Sequence, residues 1–183
     1  MTSLANLQVQ RPSGESVTIG GLVDRPTILV IPRYYGCLPC RDYLRTVSDR
    51  YDEITDAGAA ALGLSVGADF QAEWLQQEYG IPFELLVDPE RNVLDALALQ
   101  RKLSIVLNPK GYATYAKAIF RGNRQGKIVS PLQAPGLALL DADANAVWVH
   151  RGKALGDYPT LDEVLERLAG ISLAPAASAT PST

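Results

Sequence analysis

The sequence predicts an α/β domain, and three observations predict it. Short continuous apolar runs, of which T-I-L-V-I over 27–31 is the clearest, suit strands buried on both faces of a mostly parallel sheet. Between them lie stretches whose apolar residues recur every three or four positions, as on one face of a helix. The two kinds of segment alternate along the chain, which favours right-handed crossovers between the parallel strands.

Taken in order, residues 4–10 and 16–19 read as short N-terminal strands around the turn Pro12-Ser13-Gly14. The strand at 27–31 lies between Pro26 and Pro32. Over 40–57, Tyr43, Leu44, Val47, Tyr51 and Ile54 fall on one helical face, and Gly58 is the stop. A buried strand follows at 60–66. Asp69 is expected to cap a helix whose apolar positions include Phe70, Trp74, Leu75 and Tyr79, ended by Gly80.

A third strand is expected at 83–87. Asp88 as cap, Pro89 at the first position and Glu90 in the first turn then open a short helix through Leu97. Residues 108–126 carry Tyr112, Tyr115, Ile119 and Phe120, a helix followed by the loop R-G-N-R-Q-G. Strands at 137–141 and 146–150 form a hairpin around Asp143-Ala144-Asn145. Thr160 with Glu163 makes a capping box for a last helix over 161–169. Asp88 and Asp141 are thus caps and turns, and Trp74 and Trp148 are expected in the core.

The 183 residues suit one domain, assigned to 1–171, while 172–183 (S-L-A-P-A-A-S-A-T-P-S-T) reads as a flexible tail. Seventeen basic and 20 acidic residues give a net charge of −3, with no basic field, so nucleic acid is not an expected partner. The apolar runs are too short for a membrane span. Residues 1–10 have no secretory pattern, so a cytoplasmic location is expected. In that compartment two cysteines are seldom a structural staple.

Those two cysteines form Cys37-Leu38-Pro39-Cys40, between the strand at 27–31 and the helix that follows. Unpaired backbone N–H groups and the helix dipole favour a thiolate at such a helix start. The i, i+3 spacing keeps both sulfurs on one side and within disulfide reach. Pro39 fixes φ at an early helical position and tunes the disulfide. Arg33 and Arg41 flank the motif and could lower a thiol pKa or hold an anion; Arg121 is a weaker candidate. A zinc site needs about four ligands. Two cysteines and the lone His150 do not complete one, so no metal is expected. The third reading is two buried cysteines acting as small apolar groups. Tyr34 and Tyr35 would form an apolar rim for substrate, or pack in the core.

Residues 30–44, V-I-P-R-Y-Y-G-C-L-P-C-R-D-Y-L, resemble the peroxiredoxin-like branch of the AhpC/TSA thioredoxin-fold superfamily. Arg33, Gly36, Cys37, Cys40, Arg41 and Asp42 match its pattern. The D-P-E-R segment after the third strand, and R-G-N-R-Q-G with Q-A-P-G-L-A-L-L-D, also resemble it. The resemblance implies a thioredoxin fold with an N-terminal strand extension and peroxiredoxin-like insertions. It implies an enzyme that reduces a hydroperoxide or related peroxide through a Cys37/Cys40 dithiol–disulfide cycle. No bound cofactor is then needed, because electrons come from thioredoxin or an NADPH-linked reductase. A homodimer is a further implication, although no segment identifies an interface. Pro135 would be the cis-proline that packs against the motif.

The usual P-x-x-x-T-x-x-C signature is altered: with Cys40 in its cysteine slot, Cys37 holds the threonine position and Arg33 the proline position. By thioredoxin analogy the more exposed Cys37 attacks; by peroxiredoxin analogy Cys40 does. The C-x-x-C spacing favours Cys37. The alternatives are a thioredoxin-like protein-disulfide reductase without peroxidase activity, and a redox-sensing module that binds a partner.

Overall fold

The computed structural model describes residues 1–67, 69–122, 126, 128 and 130–172. Of the tail expected at 172–183, Ser172 ends the last helix and residues 173–183 lie outside the described residues, as do residues 123–125 of the R-G-N-R-Q-G loop and the side chain of Asp69.

The elements run β1 (Thr2–Ser3), β2 (Gln8–Gln10), β3 (Ser16–Thr18), α1 (Ile19–Leu22), β4 (Thr27–Ile31), α2 (Leu38–Asp49), α3 (Tyr51–Asp56) and β5 (Ala60–Ser65). They continue with α4 (Asp69–Tyr79), β6 (Leu85–Val87), α5 (Asn92–Ala96), α6 (Leu103–Leu107), α7 (Lys110–Phe120), β7 (Gly136–Leu140), β8 (Asn145–Arg151) and α8 (Leu161–Ser172). One mixed sheet has the order β1-β8-β7-β4-β5-β6-β2-β3. Strands β4, β5 and β6 pair in parallel, while β7 runs antiparallel to both β4 and β8.

The fully buried β4 lies at the centre, and because successive side chains of a strand point to opposite faces it feeds two cores. Ile28 and Val30 enter one core with Leu85, Leu137 and Leu139; α2, α4 and α8 cover it through Leu44, Leu75 and Val164. Leu29 and Ile31 enter a second core with Leu62, Leu64, Leu86 and Leu140, covered by Ile19, Val93 and Leu94. A strand buried on both sides writes a continuous apolar run, which is why β4 was readable in sequence.

Several expectations shift. Residues 4–7 are a turn rather than a strand: the Leu7 N–H donates to Leu4 O (2.9 Å), while buried Leu4 anchors the second core. The helix expected over 40–57 is two helices, because the backbone at Arg50 (φ −119°, ψ 25°) leaves the helical basin. Phe70 and Trp74 are 55% and 42% exposed, so neither is core; α4 instead turns Ala72 and Leu75 inward. Trp148 is partly buried against the first core, beneath the Arg167 guanidinium.

The helix expected to open at Pro89 begins at Asn92, behind the left-handed Arg91, so Pro89 and Glu90 form a turn before it. Other local readings hold: Asp88 is fully buried, and its carboxylate accepts the N–H groups of Asn92, Val93 and Leu94 at 2.9–3.1 Å. Asp141 Oδ1 accepts the N–H groups of Asp143 and Asn145, closing the β7–β8 hairpin. Thr160 Oγ1 accepts the Glu163 N–H at the start of α8. Among the described residues, no helix is long and apolar enough to cross a membrane.

Candidate functional site

The site forms where β4 ends and α2 begins. A turn carries the chain between them: the Cys37 N–H donates to Tyr34 O (3.0 Å) and the Arg41 N–H to Cys37 O (2.9 Å). Cys37 is the N-cap of α2, Pro39 lies in the first turn and Cys40 follows it. Proline costs nothing there, since its missing N–H would have no helical partner. The Cα atoms of Cys37 and Cys40 are 5.2 Å apart and the sulfurs are joined as a disulfide.

Both cysteines are 0% exposed, which corrects the expectation that Cys37 is the more exposed of the two. Tyr34 and Tyr158 pack around them. The Tyr158 hydroxyl donates to Ile31 O (3.2 Å), and its ring stacks on Tyr43 at 4.2 Å. Burial pushes the Tyr158 phenol well above its ordinary pKa, so that ring stays uncharged beside the sulfurs. Tyr35 turns the other way into the first core and donates to Leu86 O (2.6 Å).

Arg33 reaches the sulfurs. Its guanidinium is buried, with Nη1 3.9 Å from Cys37 Sγ, Nε donating to Gln133 O (3.0 Å) and Nη2 donating to Pro131 O. Desolvation pushes its pKa below the usual arginine value, partly offset by the Tyr34, Tyr158 and Tyr115 phenols. It nevertheless remains a cation. A cation donating mainly to backbone carbonyls keeps its full charge for a neighbouring sulfur.

The other predicted residues serve differently. Arg41 is buried and donates to Tyr35 O (2.7 Å), with its guanidinium carbon 4.7 Å above the Trp74 ring. Arg121 pairs with Asp42 at 3.1 Å and fastens α7 to α2, away from the disulfide. The Gly126 N–H donates to Gly36 O (2.8 Å), so the end of the R-G-N-R-Q-G loop lies on the motif.

The cis-proline expectation fails: no described peptide bond is cis, and Ala134–Pro135 is trans. The segment meets the motif through the carbonyls of Pro131 and Gln133, which Arg33 gathers, while Pro135 O accepts the Gly152 N–H (2.9 Å). Gln133 and Tyr158 are contributors that the sequence reading missed. Gln133 lay in the Q-A-P-G run and was visible beside Pro135; nothing local marked Tyr158. No three His, Cys, Asp or Glu side chains converge on a metal-sized site among the described residues.

The family model described as AhpC/TSA matches residues 2–130. A thioredoxin-like protein AAED1, chloroplastic, of Arabidopsis thaliana is 23% identical over 90% of this chain and 71% of its own length. A peroxiredoxin-like 2C of Mus musculus is 25% identical over 90% of this chain and 78% of its own. Among solved structures, peroxiredoxin Q of Xanthomonas campestris superposes with a TM-score of 0.65 at 15% identity, covering 91% of this chain and 92% of that one. Peroxidoxin BcpB of Mycobacterium tuberculosis superposes with a TM-score of 0.66 at 15% identity, covering 93% and 96%. The fold is therefore the peroxiredoxin-like thioredoxin fold, and with most of its length matched the chain belongs to the AhpC/TSA family.

Proposed function

We propose that this protein is a thiol-dependent peroxidase of the peroxiredoxin-like type, working through a Cys37/Cys40 dithiol–disulfide cycle. The observation that carries the reading is the paired cysteines at the start of α2 with the buried Arg33 cation 3.9 Å from Cys37 Sγ. Arg33 favours a thiolate at Cys37, the form that attacks.

In the reduced protein the Cys37 thiolate attacks the terminal oxygen of a hydroperoxide. The O–O bond breaks, and the departing alkoxide takes up a proton to leave as an alcohol, with Cys37 as a sulfenic acid. The Cys40 thiol attacks that sulfur, the S–S bond forms and water departs. Two electrons from a thioredoxin-type dithiol, itself restored by an NADPH-linked reductase, return both thiols. The cycle needs no bound cofactor, and a cytoplasmic site of action fits its reductants.

Burial of both sulfurs favours a small oxidant in the oxidising step, whereas a protein disulfide, and equally the thioredoxin-type reductant that closes the cycle, reaches them only when the aromatic cover moves aside. The test is NADPH consumption with thioredoxin and thioredoxin reductase, using hydrogen peroxide, an organic hydroperoxide or insulin disulfides as oxidant. Peroxide turnover lost in both Cys37→Ser and Cys40→Ser is the expected result. Failure to turn over any oxidant, despite a reversible disulfide, would replace the enzyme with a redox-sensing module. Preferential alkylation of Cys40 in the reduced protein would reverse the two roles.

A further inference from the structure

Beside the Gln133–Ala134 segment that receives Arg33, a cavity of about 560 Å³ opens between the end of β8 and the chain around α6. Buried Ile105 and Ala134 form its apolar floor. Three exposed cations, Lys102, Arg151 and Lys153, stand around it, and its described lining contains no carboxylate. This is a local excess of positive charge in a chain whose net charge is −3.

The nearby acids are already engaged. Asp157 accepts the Lys153 N–H at 2.6 Å and lies 3.6 Å from His150 Nε2. The adjoining shallow groove carries Arg91 and Arg101, and its single acid, Asp95, pairs with Arg91 at 2.9 Å. Ala98 lines both cavity and groove; its φ of +54° closes the end of α5, with the Ala98 N–H donating to Asp95 O and the Leu99 N–H to Leu94 O, each at 2.9 Å. The volume falls within the range of small-molecule sites, which combine an apolar lining with a few placed polar groups.

We propose that this cavity binds an organic anion, with an apolar body on Ile105 and Ala134 and a carboxylate or phosphate held by Lys102, Arg151 and Lys153. The site is separate from the disulfide and does not depend on the thiol cycle. A ligand there would lie one residue from the Gln133 carbonyl that accepts from Arg33.

Calorimetric titration of the intact protein with octanoate, octyl phosphate, inorganic phosphate and 1-octanol tests it, with amide chemical shifts followed at Ala98, Ile105 and Gly152. Saturable one-to-one binding of octanoate or octyl phosphate is expected, and the tighter of the two identifies the headgroup. Octanol, lacking charge, and inorganic phosphate, lacking a body, should each bind at least about tenfold more weakly. Lys102→Glu combined with Lys153→Glu should weaken the anions by at least about tenfold. Both lysines are exposed, so the double variant should fold, and an unchanged circular dichroism spectrum would check that. Arg151 is left in place because its Nε donates to Leu97 O (2.8 Å). Absence of saturable binding by both alkyl anions would overturn the proposal. So would binding equal to that of octanol or inorganic phosphate, or binding unaffected by charge reversal.

Discussion

Replacing Arg33 by methionine removes the cation nearest Cys37 while keeping a chain of similar length. At the 3.9 Å between Nη1 and Sγ, the attraction of a guanidinium for a thiolate is about 4 kcal/mol at an effective dielectric constant near 20. Water and side-chain relaxation in the variant recover part of that, so a net loss of about 2 kcal/mol is expected. This corresponds to roughly a thirtyfold fall in thiolate population wherever the thiolate is the minor form. The substitution also leaves Gln133 O and Pro131 O without their donor, which costs a further ~1–3 kcal/mol of stability.

Arg33→Lys separates the two effects, because lysine keeps the charge but not the planar fork. Iodoacetamide labelling of the reduced proteins across a pH series, with mass mapping of Cys37, measures the thiolate. Urea denaturation measures the stability. The methionine variant should label Cys37 roughly thirtyfold more slowly, and the lysine variant by less than about fivefold. Both should lose stability. Unchanged Cys37 labelling in a natively folded Arg33→Met would refute the assignment of Arg33 to the thiolate.

Two further outcomes concern the frame. Burial pushes the Asp88 carboxyl above its usual pKa despite the three amide hydrogen bonds it accepts. The native state therefore holds that proton to higher pH than the unfolded chain does. This contribution favours folding at low pH and is lost as pH rises from the ordinary aspartate value through the raised one. Asp88→Asn should remove that segment of the pH–stability curve and cost ~1–3 kcal/mol at neutral pH, since an amide cannot accept all three N–H groups; urea titrations at several pH values check both. Gly152→Ala would place a Cβ 2.6 Å from Asp157 O and 2.7 Å from the Pro135 ring. A loss of about 1–3 kcal/mol is expected, read as a lower thermal midpoint.

What the sequence disclosed depended on how local the deciding interaction was. Strand β4 and the hairpin Asp141 were legible because burial on both faces and an Asx turn leave their mark within a few residues. Helix α6 was not: L-S-I-V-L reads equally as a strand, and packing of Ile105 against Ala134 and Leu155 decides it. The phase of α4 was misjudged because its large aromatics, Phe70 and Trp74, are outward, with Trp74 covering Arg41. At the site, the motif and Arg33 were visible from spacing. Arg33's carbonyl partners lie 98 and 100 residues away and Tyr158 lies 127 residues from Ile31, and Pro135 was misassigned for that reason.

The burial of both sulfurs bears on which oxidant the proposed cycle accepts. Thiol–disulfide exchange proceeds through three sulfurs in line, so a protein disulfide as oxidant, and equally a thioredoxin-type dithiol as reductant, reacts only when Tyr34 or Tyr158 moves aside. Tyr158 is held by its bond to Ile31 O and by its stack on Tyr43, each of which resists that movement. A hydroperoxide needs to present only one oxygen to Cys37 and disturbs far less of this wall. In the proposed cycle the aromatic cover would disfavour large oxidants, while the Arg33 charge would supply reactivity. Insulin disulfides reduced as fast as peroxide in the coupled assay would show that the cover does not discriminate, and the burial argument for a peroxide would fall.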